Sequence, residues 1–186
     1  DHGVLRVPTG GKGVDGVGAG QHHDLGTRHV GGNAQLIASG SGTVNAASAI
    51  SIFAIGTGGE AQSLDIPGGN GGAGLGGTAR LYSNGGAINS SFGANVIASG
   101  FGGAGDVFNG LGVGGNGTGG SATLSVGTPN ELGNNGLITI GAATVVTAQG
   151  IGGDAQQGGD GTGGFAAVSA RHGTVNLADT TVSTAG

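Results

Sequence analysis

Apolar and small polar residues alternate along several short stretches of this chain, which is the pattern of half-buried β-strands. Residues 79–83 (ARLYS) and 95–99 (NVIAS) show the alternation clearly. Aliphatic and β-branched residues at every second position favour strands with one covered face. No stretch has helical spacing over ten or more residues, and the frequent glycines oppose a helix. The pattern therefore predicts an all-β fold of short strands.

The alternating stretches belong to a repeat of about 44 residues. The phrase GG-x-A begins at Gly31, Gly76, Gly119 and Gly163, so successive copies lie 45, 43 and 44 residues apart. Three sets of apolar residues recur at matching places: Leu36, Leu81, Leu124 and Val168; Val44, Ile88, Ile138 and Val175; Ile52, Val96, Val146 and Val182. We expect a single repeat array over 1–186, with repeats at about 31–75, 76–118, 119–162 and 163–186 and an irregular partial repeat at 1–30.

The first half of each repeat, about 24 residues, has room for three short strands and two turns, the size of one coil of a β-solenoid. Turn signals stand at Gly42, Asn84-Gly85, Asn135-Gly136 and Gly173. The third copy carries about six additional residues around Thr128 to Gly133 (TPNELG), which have the composition of a surface loop.

Stacked coils predict which side chains form the core. Equivalent residues would lie about 4.8 Å apart along the stack. Leu81, Leu124, Ile138 and Val96 are expected to point inward, and Arg80, Tyr82 and Asn95 outward. Asn or Thr ladders would pair along the outside.

The second half of each repeat, about 20 residues, is rich in glycine. Glycine recurs at every third position, as at Gly68, Gly71, Gly74 and Gly77, and the heptapeptides GGNGTGG and GGDGTGG begin at Gly114 and Gly158. Three residues per turn is the period of a polyproline-II-type helix, and glycine lets such helices pack backbone to backbone. We therefore expect a glycine-rich, polyglycine-II-like excursion outside the strand coil. A second, glycine-lined coil is the alternative.

Composition excludes several classes of function. Glycine supplies 50 of 186 residues but proline only three, which excludes collagen. Five Lys and Arg in a chain of net charge −5 cannot neutralise a nucleic-acid backbone. Cysteine is absent, so disulfides and thiolate metal sites are excluded, and no apolar run approaches the length of a membrane span.

The repeat resembles those of large bacterial surface proteins. Residues 42–45 (GTVN) and 173–176 (GTVN), together with GG-x-A and the glycine runs, resemble filamentous-haemagglutinin-like exoproteins and autotransporter passengers over about residues 30–186. The resemblance implies a right-handed parallel β-helix, an extracellular or cell-surface location, and a role in adhesion or matrix building. The implied partners are copies of the chain or further repeats, end to end, and cell-surface or matrix glycans.

Two segments near the start carry ligand-type side chains. Residues 10–18 (GGKGVDGVG) match the nonapeptide of calcium-binding, RTX-like β-rolls, in which Asp15 would supply a carboxylate ligand. A β-roll shares its calcium between successive turns, whereas this match occurs once. His22, His23, Asp24 and His29 lie close enough in sequence to bind zinc or copper, but the cluster occurs once and a solvated loop is the favoured interpretation. A calcium-binding β-roll is therefore the alternative function, and no cofactor is assigned.

The remaining polar residues do not predict an enzyme. The acidic residues occupy different phases of the repeat and do not form one cleft: Glu60, Asp65, Asp106, Glu131, Asp154 and Asp160. An ice-binding solenoid, the third alternative, needs regular threonine ranks, but Thr43, Thr123, Thr139 and Thr174 are not expected to share one column.

The chain begins and stops at about the same phase of the repeat. Gly10 and Gly186 lie 176 residues apart, which is four repeats, and neither end has the composition of a cap. Because solenoids need polar caps to stay soluble, the sequence predicts an interior section of a longer fibre.

Overall fold

The computed structural model describes residues 28–61, 69–106, 112–127 and 135–186. These residues form short strands without helices, which confirms the all-β prediction. The strands are β1 His29–Val30, β2 Asn33–Ser39, β3 Thr43–Ala46, β4 Ile50–Phe53, β5 Gly56–Thr57, β6 Gly74–Leu75, β7 Thr78–Asn84, β8 Ala87–Ser90, β9 Ala94–Ile97, β10 Gly100–Phe101, β11 Gly117–Thr118, β12 Ser121–Val126, β13 Gly136–Thr147, β14 Gly150–Ile151, β15 Gly161–Thr162, β16 Phe165–Ala170 and β17 Gly173–Ser183.

Every pairing between these strands is parallel and joins one repeat to the next. Within the described ranges, sheet I contains β2, β7, β12 and β16, and sheet II contains β3, β8, β13, β9 and β4, with β17 on β13. Sheet III contains β5, β10 and β14, and sheet IV contains β1, β6, β11 and β15. In sheet I, Asn33, Thr78, Ser121 and Phe165 are aligned, which reproduces the intervals of the GG-x-A phrase. We call the strands from one repeat a layer, and layers 1 to 4 begin at β2, β7, β12 and β16.

The three predicted apolar columns are confirmed. The strand registers align the members of each set: Leu36, Leu81, Leu124 and Val168; Val44, Ile88, Ile138 and Val175; Ile52, Val96, Val146 and Val182. Leu81, Val96, Leu124 and Ile138 are completely buried, as expected. Because side chains alternate across a strand, a slip of one residue would expose a whole column, so burial fixes the register.

A left-handed residue ends the sheet I strand of each layer. Gly40, Gly85 and Gly127 have φ between 61° and 81°, and His172 occupies the same place in layer 4 with φ 54°. The prediction of a turn at Asn84-Gly85 is thus confirmed. The predictions of turns at Asn135-Gly136 and at Gly173 itself are wrong, because Gly136 and Gly173 begin β13 and β17. The additional residues predicted near Thr128 to Gly133 lie outside the described residues.

The expected three short strands occur only in layers 1 and 2. In layers 3 and 4 the second and third strands run together as β13 and β17, with a register irregularity between Ile140 and Ala143. The physical reason is local composition. Residues 137–147 (LITIGAATVVT) are mostly β-branched or small, whereas layer 2 has a break at Ser91-Phe92-Gly93.

Tyr82 does not point into solvent as predicted. It lies on the face opposite to Leu81 but is only 6 % exposed. The guanidinium of Arg80 lies 3.9 Å from the centre of its ring, and Ile37 and Ser125 are its neighbours in the sheet. Arg80 and Asn95 are partly exposed. A large ring between two neighbouring strands is therefore covered by the side chains beside it.

Candidate functional site

The glycine-rich halves are the most distinctive part of the molecule, because their backbones touch directly. Within one layer the chain runs out along sheet III and returns along sheet IV. A Cβ on Gly102 would lie 1.8 Å from the carbonyl oxygen of Gly115, on the returning run. The predicted every-third glycines Gly71, Gly74 and Gly77 have the same restriction, since a Cβ there would lie 1.9 to 2.0 Å from a backbone oxygen. No side chain fits between the two runs.

A continuous series of glycine–glycine hydrogen bonds passes through the middle of this region. Each step joins a backbone N–H to the carbonyl of an earlier glycine, alternately within a layer and between layers. The series is Gly72 to Gly59 (2.7 Å), Gly103 to Gly72 (2.8 Å), Gly115 to Gly103 (2.9 Å), Gly153 to Gly115 (2.8 Å) and Gly159 to Gly153 (2.9 Å). We call it the glycine column. It satisfies buried backbone groups that would otherwise lack partners.

Side-chain amides add further bonds between layers. Asn70 Oδ1 accepts from the backbone N–H of Val113 at 3.1 Å, and Asn116 Oδ1 accepts from that of Asp160 at 2.9 Å. In sheet II, Asn89 Nδ2 donates to Asn45 Oδ1 at 3.1 Å, so one step of the predicted Asn ladder is present. The polar residues on these faces thus link successive layers.

Most of the residues predicted as metal ligands cannot be placed. Asp15, His22, His23 and Asp24 lie outside the described residues, as do Asp65 and Glu131. His29 begins β1 and its backbone pairs with Gly74. Within the described part of the chain, no three His, Cys, Asp or Glu side chains come together in a group suited to a metal. The calcium and zinc or copper hypotheses stay predictions.

The four threonines do not share one column, as predicted. Thr43 and Thr174 occupy one column of sheet II, with Ala87 and Leu137 between them. Thr123 lies in sheet I. Thr139 lies in the neighbouring column, next to Asn89.

Among the residues that the structure describes, two buried hydroxyl groups lack a hydrogen-bond partner. They are Tyr82 OH, on the outer side of sheet I, and Thr144 Oγ1, in a strand of sheet II. Thr144 is aligned with Ala94 below it and Thr180 above it, and it is 1 % exposed. Such unpaired groups lower stability.

A second candidate surface runs along the outer side of sheets II and III. From Ile50 to Gly58, buried and exposed residues alternate without interruption, so β4 and β5 form one extended face. We call its outward positions in all layers the uncharged strip: Ser51, Phe53, Ile55 and Thr57; Asn95, Ile97, Ser99 and Phe101; Val145, Thr147, Gln149 and Ile151; Thr181, Ser183 and Ala185. The strip is not apparent from any single repeat of the sequence, although residues around Ile97 alternate between apolar and polar.

The described residues include no helix with the length and apolar character needed to cross a bilayer. No protein-family model, no curated protein and no solved structure matches this chain.

Proposed function

We propose that this chain is a structural segment of an extracellular bacterial fibre or large adhesin, and that it acts without catalysis. The proposed architecture is a right-handed parallel β-solenoid with polyglycine-II-like excursions. The observation that carries the proposal is the repetition of the same contacts from layer to layer. Through successive layers the apolar columns keep aliphatic residues and the glycine column keeps glycine.

Such contacts suit a load-bearing rod. Each layer binds its neighbour with the same donors, acceptors and apolar residues, so additional layers could continue the stack with unchanged chemistry. Backbone hydrogen bonds join successive layers, so they resist a force that pulls the layers apart. The close approach of glycines leaves little space for a protease to bind an isolated strand. These properties favour attachment or matrix work over a chemical reaction.

The proposed partners are copies of the chain or further repeats, stacked end to end. A copy stacked below layer 1 would extend the columns that contain Leu36, Val44 and Ile52. A copy stacked above layer 4 would extend those that contain Val175 and Val182. The last two side chains are partly or largely exposed, and a stacked layer would cover them. The cell-surface location and adhesion to glycans rest on the resemblance of the repeat to bacterial surface proteins.

Electron microscopy of purified chain 1–186, with sedimentation velocity, tests this proposal. We expect rods of variable length whose mass is a multiple of the 17.1 kDa chain. Val182→Lys should shorten the rods, because its charge would face an incoming layer, and Thr181→Lys, its outward neighbour, should not. Compact particles whose size is constant and unchanged by either substitution would contradict end-to-end stacking.

A further inference from the structure

The uncharged strip is regular and partly apolar. Within the part of the chain that the structure describes, it carries several large apolar side chains that reach into solvent: Phe53 is 50 % exposed, Ile55 44 % and Ile151 47 %. Ile97 and Phe101 lie between them in the middle of the strip. Small residues separate these groups, since Ser99 and Thr147 are covered by their neighbours. Apolar patches of this kind on an outer sheet face mark contact sites.

The strip contains no Asp, Glu, Lys, Arg or His at any of its positions. Charged residues lie outside these positions: Asp179 borders the strip two residues before Thr181 in layer 4, Arg80 lies on sheet I, and Glu60 and Asp154 lie in the glycine-rich half. A partner rich in charge would have to be desolvated here without receiving a counter-charge. The strip therefore fits an uncharged partner.

A second copy of the same chain satisfies this condition. In a twofold contact each surface meets itself, so a charge near the axis would face a like charge. The positions of the strip carry no charge that would cause this repulsion, and Asp179 lies at its edge, away from the centre. Two flat sheet faces can also interdigitate large and small side chains at a spacing of about 10 Å.

The size of the strip limits the area that such a contact can bury. Seven residues from Ser51 to Thr57 span about 23 Å, and four layers rise about 19 Å, so the strip covers about 450 Å². Two copies would bury about 900 Å², which is below the standard protein–protein interface and typical of weak complexes. We expect dissociation constants on the order of 10–100 μM.

We propose that the uncharged strip is a lateral contact between two copies of this chain, related by a twofold axis. The contact lies along the side of the stack, so it does not depend on end-to-end association. It would join two rods side by side.

Site-specific cross-linking tests the contact. The chain has no cysteine, so Ile97→Cys introduces a unique thiol beside the centre of the strip. In a twofold dimer, the introduced thiols of the two chains lie close together for any direction of the twofold axis in the plane of the strip. A bis-maleimide whose span is near the sheet spacing of about 10 Å should link them into a dimer. Copies stacked end to end would hold these thiols about 19 Å apart, four layers away, which is beyond its reach.

Thr123→Cys is the matched control, because it lies in a middle layer at a partly exposed, outward position of sheet I. The experiment uses the Val182→Lys background, so that failure of end-to-end stacking and failure of the lateral contact give different results. We expect dimers from Ile97→Cys and none from Thr123→Cys. Adding Phe53→Lys and Ile151→Lys should abolish the dimer with an unchanged circular dichroism spectrum.

Equal linking at both positions, or a monomer at every concentration up to several hundred micromolar in sedimentation equilibrium, would overturn the proposal. A monomer whose strip instead binds a neutral polysaccharide, with binding lost in the Phe53→Lys/Ile151→Lys variant, would also overturn it and assign the strip to a glycan.

Discussion

A close backbone contact between two layers of the glycine-rich half gives a sharp test of the structure. Gly115 lies in the returning run of layer 2, where a Cβ would sit 1.9 Å from the carbonyl oxygen of Gly72 and 2.5 Å from its carbonyl carbon. Ordinary contact begins near 3.4 Å, so Gly115→Ala would push the two layers apart by about 1.5 Å. Both partners are backbone atoms, so no side-chain rotation can relieve the clash.

The expected cost follows from the bonds at this position. Gly103 in layer 2 donates to Gly72 in layer 1 at 2.8 Å, and a separation of these layers by about 1.5 Å would break this bond. Displacement of Gly115 would also disturb the bond that it donates to Gly103 at 2.9 Å. Each lost bond costs about 0.5–1.5 kcal/mol, and overpacking costs about 1–3 kcal/mol. The lower entropy of unfolded alanine returns about 0.4–1 kcal/mol. We therefore expect Gly115→Ala to lower the free energy of unfolding by about 2–4 kcal/mol.

Gly158 supplies the matched control, because a Cβ there would find its nearest atom, the carbonyl oxygen of Gly153, at 3.9 Å. Gly158→Ala should be neutral or stabilising by up to about 1 kcal/mol. Guanidinium unfolding followed by far-UV circular dichroism measures both variants. A difference of about 3 kcal/mol corresponds to about 6–12 °C in Tm for a chain of this size. Equal stability of the two variants would show that the glycine runs do not touch as described.

Four further outcomes are expected. Leu124→Asp should destabilise by at least about 4 kcal/mol because its charge enters a fully buried column, whereas Thr123→Asp, on the outer face, should change stability by under about 1 kcal/mol; similar values in urea unfolding would show the register to be wrong. His172→Gly should raise stability by about 0.5–1 kcal/mol, since glycine tolerates the left-handed backbone; a loss in calorimetry would contradict this. Thr144→Val should stabilise by about 1 kcal/mol by removing an unpaired buried hydroxyl, and a lower Tm would mean that the hydroxyl has a partner. A calcium chelator should leave circular dichroism and Tm unchanged, because apolar columns and backbone bonds hold the layers; a large loss of strand signal would favour the calcium-binding β-roll.

The core was predictable because its signal is local and repeated. The residues equivalent to Leu81 recur at nearly constant intervals, and burial of one face permits a single register. Once the interval was known, the neighbours of Leu124 above and below followed directly. The spacing of glycine at every third position also predicted close packing of backbones. The structure supplies the reason, since backbone atoms of neighbouring runs occupy the place of a side chain at Gly74.

What the sequence did not predict depends on contacts between layers. Whether two strands join, as in β13, depends on small differences between repeats that do not alter the apolar pattern. The burial of Tyr82 depends on Arg80, two residues before it in the same strand, and on the side chains next to it in adjacent layers. The uncharged strip appears only when outward residues of several repeats are placed side by side. Asp15, His22, His23 and Asp24 stay a sequence-based hypothesis.

The two halves of each repeat are stabilised by different forces, and this difference determines how they depend on each other. The strand half buries aliphatic side chains, whereas the glycine half gains mainly hydrogen bonds worth about 0.5–1.5 kcal/mol each. Ordering a residue costs about 1–2 kcal/mol of backbone entropy, and glycine costs the most. The hydrogen bonds alone therefore do not offset the ordering of the glycine runs.

The connection lies where each glycine-rich run meets the core. A glycine at the end of the returning run donates to a core alanine of the same layer: Gly77 to Ala54 (2.9 Å), Gly120 to Ala98 (2.7 Å) and Gly164 to Ala148 (2.7 Å). Because these alanines are buried in the apolar core, the strand half holds the two ends of each glycine-rich run close together. Holding the ends together removes most of the loop-closure cost, and the glycine column can then form between runs that are already adjacent. The glycine-rich half is thus a dependent structure: it needs the apolar columns for its stability, and it adds to each layer a second set of bonds to the next.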